Sequence, residues 1–159
     1  MDKKDLEILA ILQKDASVAL ADLAQKVHLS VTPCWRRVQR LYEDGVIRQQ
    51  VVMCDPLKLN LGLTVMVALK ATQHSEAWMQ SFIEGMRDIP EVVEIYRMTG
   101  DVDYLLKIYV SDMAGYDQVY KKLIKVVSLQ DVSSSFVMET IKYTTALPLD
   151  YALLKKEKV

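Results

Sequence analysis

Arg36, Gln39 and Arg40 follow one another at spacings of three and one, which places them on a single face of a helix. Their side chains carry the groups that read base edges. An arginine fork matches the O6 and N7 of guanine, and a glutamine amide matches the N6 and N7 of adenine. Arg37 lies on the flank of the same helix. Ser30 is a good N-cap, and Thr32 sits where a first helical turn meets base edges or phosphate. Pro33 falls in that first turn, where a missing N–H costs little. Between Asp22 and Glu43 there is no acidic residue, yet Lys26, Arg36, Arg37 and Arg40 supply four positive charges. The competing reading is a solvated polar face, since every surface helix has one. The preceding short helix, the turn and the acid-free window favour DNA.

A second group lies far along the chain. The turn Thr99-Gly100-Asp101-Val102-Asp103-Tyr104 offers two carboxylates, a flexible glycine and a phenol. Ser133-Ser134-Ser135 adds three hydroxyls in a row. Together they suit a zwitterion: carboxylates take an ammonium, while loop amides and hydroxyls take a carboxylate. A hairpin turn that simply favours Gly and Asp is the plainer alternative. No nucleophile–base pair is indicated, and the two histidines, His28 and His74, fall in a turn and a loop. Cys34 and Cys54 are too far apart for a metal knuckle. Neither a metal nor a cofactor is expected.

The elements that position these groups follow from periodicity. Residues 4–14 read as a helix with Ile8, Leu9 and Leu12 on one face. Leu20, Leu23, Ala24 and Val27 give a second helix its apolar stripe, and His28-Leu29-Ser30 is the turn. In the third helix Val31, Cys34, Val38 and Leu41 gather opposite Thr32, Arg36, Gln39 and Arg40, with Trp35 as a packing anchor on the flank. Asp44-Gly45 ends it. This is a helix-turn-helix. Residues 47–55 are β-like, and Pro, Asn and Gly punctuate 56–62.

The remainder reads β-α-β-β-α-β: a strand over 63–72, a helix over 76–87, strands over 92–98 and 103–110, a helix after Asp112, and a strand over 131–143. The second helix has its stripe at Met113, Tyr116, Tyr120, Leu123 and Val127. This is the ferredoxin-like plan, so the chain is α+β. We expect a helix-turn-helix domain over 1–50, a linker strand and hinge over 51–61, a ferredoxin-like domain over 62–145, and a tail over 146–159. The first strand is apolar on both faces, with Leu63, Val65, Val67 and Leu69 against Thr64, Met66 and Ala68. One face suffices for two helices, so the other predicts a homodimer.

Composition sets the remaining bounds. Half of the 159 residues are hydrophobic, enough for a real core. The net charge is only −1, so nucleic-acid binding must come from a local patch. The N-terminal apolar run is interleaved with charge, unlike a signal peptide, and no stretch is long enough to span a membrane. A cytoplasmic, nucleoid-associated protein with two free thiols is expected.

Four segments carry a resemblance over nearly the whole chain: DLEILAILQKDA, HLSVTPCWRRVQRL followed by DGVI, TGDVDYLL, and SSFVMETIKYTTALPL. In this order they resemble the leucine-responsive/asparagine-responsive (Lrp/AsnC, feast/famine) family of prokaryotic regulators. The resemblance implies a winged helix-turn-helix followed by a βαββαβ effector domain. It implies double-stranded DNA as a partner, with Ser30, Thr32, Pro33, Arg36, Arg37, Gln39 and Arg40 at the interface. It implies dimers assembled into octamers, and a small amino-acid effector between subunits that alters assembly or DNA affinity. The matching effector positions are Arg97, Met98, Thr99, Gly100, Asp101, Asp103 and Tyr104, with Ser134, Ser135 and Phe136. This chain departs from the family pattern at Ala19, a weak cap, at His28, where glycine is common, at TPCW, and at Arg97-Met98. TPCW and the tail look closest to a branch with sulfur-amino-acid regulators. The alternative is a ligand-binding module or small-molecule enzyme on a ferredoxin-like sheet, with the N-terminal helices used for assembly.

Overall fold

The computed structural model describes residues 1–73 and 75–153. His74 and the last six residues of the expected tail lie outside the described residues. The described residues form two compact units, one of residues 1–52 with 142–153 and one of residues 53–141.

The first unit holds three helices, α1 (Lys3–Leu12), α2 (Leu20–Lys26) and α3 (Val31–Glu43). Asp2 caps α1 by accepting from the Lys4 and Asp5 backbone N–H groups, and Asp5 reaches back to the Asp2 N–H. This capping box satisfies donors that a helix start leaves unpaired. Ile8, Leu9, Leu23, Ala24, Val27, Cys34 and Leu41 form the core of the unit. Leu149 packs against it, and the Leu147 N–H donates to the Gln13 side chain at 2.7 Å. The Lys4 ammonium donates to the Val27 carbonyl at 2.8 Å, closing the C-terminal end of α2. His28, in the tight turn to α3, takes φ 54°, the left-handed conformation that favours glycine.

Three expectations are corrected in this unit. Ser30 occupies the N-cap position of α3 with extended backbone, but its side chain makes no capping hydrogen bond. Val31 is exposed instead of buried, because the first turn of α3 projects beyond the core. Residues 47–55, including the expected linker strand from 51, form no strand: β structure needs a ladder partner, and among the described residues none pairs there. Ile47 packs on the helical core instead, and the Gln50 amide donates to the Ala16 carbonyl.

The second unit opens with a 3₁₀ turn at Pro56–Leu59 and then runs β1 (Leu63–Ala71), α4 (Glu76–Arg87), β2 (Val92–Arg97), β3 (Tyr104–Val110), α5 (Met113–Val126) and β4 (Leu129–Phe136). The strands form one antiparallel sheet in the order β2-β3-β1-β4. Ser75 and Asp112 cap α4 and α5 through their side chains. Val65, Val67, Leu69, Leu106 and Ile108 face both helices and meet Trp78, Phe82, Met86, Val119 and Leu123. Met113 is exposed, and Val119 takes the buried place expected of it. The last strand starts at Leu129 and stops at Phe136, short of the expected 143; among the described residues β1 is its ladder partner, and the pairing ends at Val65 with Phe136. Thr64, Met66, Ala68, Leu105, Lys107 and Tyr109 lie on the opposite face of the sheet, away from both helices.

Candidate nucleic-acid interface and effector site

In α3, Cys34 and Leu41 anchor one side in the core, and this fixes which residues face outward. Ser30, Thr32, Pro33, Trp35 and Arg36 are exposed at its N-terminal half, and Gln39 is half-buried. Arg36 has no ion-pair partner among the described residues. Trp35 is 50% exposed and belongs to neither core, so it is not the packing anchor expected of it. The uncapped first turn of α3 leaves backbone N–H groups that suit an anion such as phosphate. Burial raises the Cys34 thiol pKa despite nearby Arg37, so this thiol is a packing group.

Arg37 and Arg40 differ from Arg36. Arg37 Nη1 donates to Asp2 Oδ2 at 2.7 Å and to Asp5 Oδ1 at 2.8 Å. Arg40 Nη2 donates to both carboxylate oxygens of Asp5, at 2.9 and 2.8 Å. Asp5 is fully buried. The acid-free window of α2 and α3 is therefore met in space by two carboxylates, Asp2 at the N-cap of α1 and Asp5 in its first turn. The hydrogen bond from Arg37 holds the Asp2 carboxyl down to about 2, from 3.8. The same contacts raise the Arg37 pKa. Sequence reasoning missed this pair, although a signal existed: Asp5 precedes Ile8 and Leu9 by three and four residues, so it shares their buried face.

The β2–β3 hairpin carries one part of the expected effector group. Arg97, Met98, Asp103 and Tyr104 line a depression of about 240 Å³. Thr99, Gly100 and Asp101 are exposed in the turn between β2 and β3, and Gly100 takes φ 101°, which L side chains rarely adopt. Asp103 straps the hairpin to β1. Its Oδ2 accepts from the Ala71 N–H at 2.8 Å, and its own N–H donates to the Leu69 carbonyl at 3.0 Å. The ring of Tyr104 is in the core, 4.5 Å from Phe82 and 5.8 Å from Trp78 between centroids. Its aromatic body therefore supports the hairpin from beneath.

The other part lies elsewhere. Ser134 pairs with Val67 and faces the helices, where its hydroxyl is hydrogen-bonded to that of Tyr116. Phe136 meets the same Tyr116 ring edge-on at 5.4 Å. Ser135 pairs with Met66 and faces the open side. Ser134 and Ser135 thus point to opposite faces, as adjacent strand residues must. Within one chain β1 separates β4 from the hairpin strand β3. Two strand spacings, roughly 10 Å, keep Ser134 and Tyr104 from sharing one small ligand.

Among the described residues no group of three or more His, Cys, Asp or Glu is placed to hold a metal ion, and no helix is long and apolar enough to cross a membrane.

Comparison with known proteins places this architecture. Residues 1–48 match the winged helix-turn-helix DNA-binding family, and residues 64–147 match the Lrp/AsnC ligand binding domain. The chain belongs to the Lrp/AsnC family of DNA-binding transcriptional regulators. It is 44% identical over 158 residues to the glutamate uptake regulatory protein of Zymomonas mobilis, covering 99% of this chain and 96% of that one. It is 46% identical over 151 residues to the DNA-binding transcriptional activator DecR of Escherichia coli K12, covering 94% and 99%. An AsnC family transcriptional regulator from Agrobacterium tumefaciens has a similar solved structure, with TM-score 0.93, 56% identity and coverage of 96% and 100%. A transcriptional regulator from Neisseria meningitidis, solved as an L-Met complex, follows with TM-score 0.91, 34% identity and coverage of 96% and 99%.

Proposed function

We propose that this chain is an amino-acid-responsive, sequence-specific regulator, with no catalytic role. The observation that carries the DNA half is the outward face of α3. Thr32, Arg36 and Gln39 stand on a helix held from behind by Cys34 and Leu41. A dimer would set two such helices in successive major grooves and read a pseudo-palindrome. Affinity for duplex DNA that falls steeply with salt supports this reading. Salt-independent or absent binding overturns it.

The depression at Arg97, Met98, Asp103 and Tyr104 supports the effector half. Arg97 suits a carboxylate, and the Asp101 and Asp103 region suits an ammonium. One relative was solved with L-Met, which makes a methionine-like amino acid the first candidate here. A single chain does not bring Ser134, Ser135 and Phe136 to this depression. A site between subunits accommodates both groups. A homodimer through the open sheet face, assembling further to an octamer, would create such seams. A ligand at a seam alters DNA affinity only through different affinities for two assemblies. The reading places the protein in the cytoplasm, on the nucleoid.

The test is a thermal-shift series against the twenty amino acids, one at a time. A ligand at about 100 times its Kd stabilises the folded state by about 2.7 kcal/mol, a shift of several degrees. A shift with one or two amino acids that Arg97→Ala abolishes supports the site. No shift with any of them overturns the effector half and leaves the DNA half standing.

A further inference from the structure

We propose that Asp5 is a positioning residue for DNA recognition: its buried carboxylate fixes the guanidinium groups of Arg37 and Arg40, so that α3 meets DNA with one aimed cationic edge instead of two mobile cations. The inference rests on the DNA-binding reading above.

The hydrogen-bond geometry carries it. Asp5 is fully buried, and both its oxygens are occupied. Oδ1 accepts from Arg37 Nη1 at 2.8 Å and from Arg40 Nη2 at 2.9 Å. Oδ2 accepts from the same Arg40 nitrogen at 2.8 Å and from the Asp2 backbone N–H at 2.8 Å. Arg37 Nη1 spends both protons, one on Asp5 and one on Asp2 Oδ2 at 2.7 Å. Its side chain is only 26% exposed, so it mainly ties α3 to α1. Arg40 is different. Among the described residues only Nη2 is committed, its side chain is 49% exposed, and Nε and Nη1 carry three further donors that can meet another partner.

Two carboxylates facing two guanidiniums also change the charge that DNA meets. Of the four cations in the acid-free window, Arg37 and Arg40 are matched one for one by Asp2 and Asp5. A mobile arginine neutralises any phosphate, whatever the sequence. An arginine with one edge held can offer its free edge only in one place, which is what base or register discrimination needs. Asp5 therefore trades sequence-independent attraction for aim.

The experiment uses the full-length chain and two duplexes: one that the wild-type protein selects from a random-sequence pool, and a shuffled form of it. Asp5→Asn keeps the shape and an amide oxygen for the Asp2 N–H but removes the charge that holds the arginines. Fluorescence anisotropy over a salt series gives both affinities and both salt slopes. We expect Asp5→Asn to bind the shuffled duplex more tightly than wild type at low salt, with a log–log salt slope steeper by about 0.9 for each additional phosphate neutralised. We expect discrimination between the duplexes to fall roughly tenfold, the scale of one directed contact. A purely structural role would weaken both duplexes equally and leave slope and discrimination unchanged, and that result overturns the proposal. Arg40→Ala tests the same idea without touching the buried carboxylate, should Asp5→Asn not fold. It must lose discrimination, and adding Asp5→Asn to a folded Arg40→Ala must cost little more. Unaltered discrimination in Arg40→Ala also overturns the proposal. A wild-type protein that selects no duplex would instead remove the DNA-binding reading on which it rests.

Discussion

Three arginines within five residues of α3 have three different environments, and their substitutions should separate accordingly. Arg36 is exposed and has no ion-pair partner among the described residues, so its loss leaves no orphaned carboxylate behind. Arg36→Ala should weaken binding to a selected duplex by about 1–3 kcal/mol while the melting temperature stays put. Unchanged affinity would take this residue out of the interface. Arg37 reports through acid titration. The folded-state pKa of Asp2, about 2, lies below its ordinary 3.8, so the Asp2–Arg37 contact stabilises the fold above that ordinary value. The contribution disappears as pH falls from 3.8 through about 2. An NMR titration of the Asp2 carboxyl should find its midpoint near 2 in wild type and at a higher pH in Arg37→Ala, where only the capping N–H groups of Lys4 and Asp5 still favour the carboxylate. A wild-type midpoint already at the ordinary value would mean that the α1–α3 contact does not persist in solution.

In the packing of α4 on α5, Gly85 faces Val126. A Cβ on Gly85 would overlap the Val126 γ-carbons. Valine has little rotamer freedom to move aside in a helix. Gly85→Ala should therefore lower stability even though alanine is the better helix former by about 1 kcal/mol. Overpacking of this kind costs about 1–3 kcal/mol. The midpoint of chemical denaturation should fall in Gly85→Ala and recover in the double variant with Val126→Ala; no recovery would place the strain elsewhere. At this scale the elements were largely legible. The bounds of α4 follow from its 3.6-residue apolar period, and Asp112 marks the start of α5 as a cap. Less legible were residues 47–55 and the end of β4. Alternation and β-branched residues mark a segment that can be a strand, whereas a ladder partner decides whether it is one.

At the scale of the whole molecule, one face of the sheet lies away from both helices. Met66, Ala68 and Leu105 lie there beside Tyr109, while the two helices cover the other side. Under the homodimer reading this face is dry in the assembly. Ala68→Glu places a carboxylate at its centre, beside Leu105. Burying an unpaired charge is costly, so the variant should sediment as a monomer with its secondary structure intact. A variant that keeps the wild-type mass would move the interface to another face. Loss of the amino-acid thermal shift in the monomer would further support a site shared between subunits.

The sequence by itself determined the order of the helices and of the four sheet strands, the outward face of α3, the two-faced apolar strand and the turn at Gly100. Each is set by local period, caps or turn chemistry, and these act over a few residues. Tertiary structure alone decided which charges remain available. The acid-free window in α2 and α3 meets Asp2 and Asp5 only because α1 packs across α3, and linear spacing does not encode that approach. It likewise decided that Ser134 is the one facing the helices and that the residues expected at the effector site divide between two places. Alternation shows that neighbouring side chains part, but only strand order and register show which face meets the helices and how far β4 stands from the hairpin.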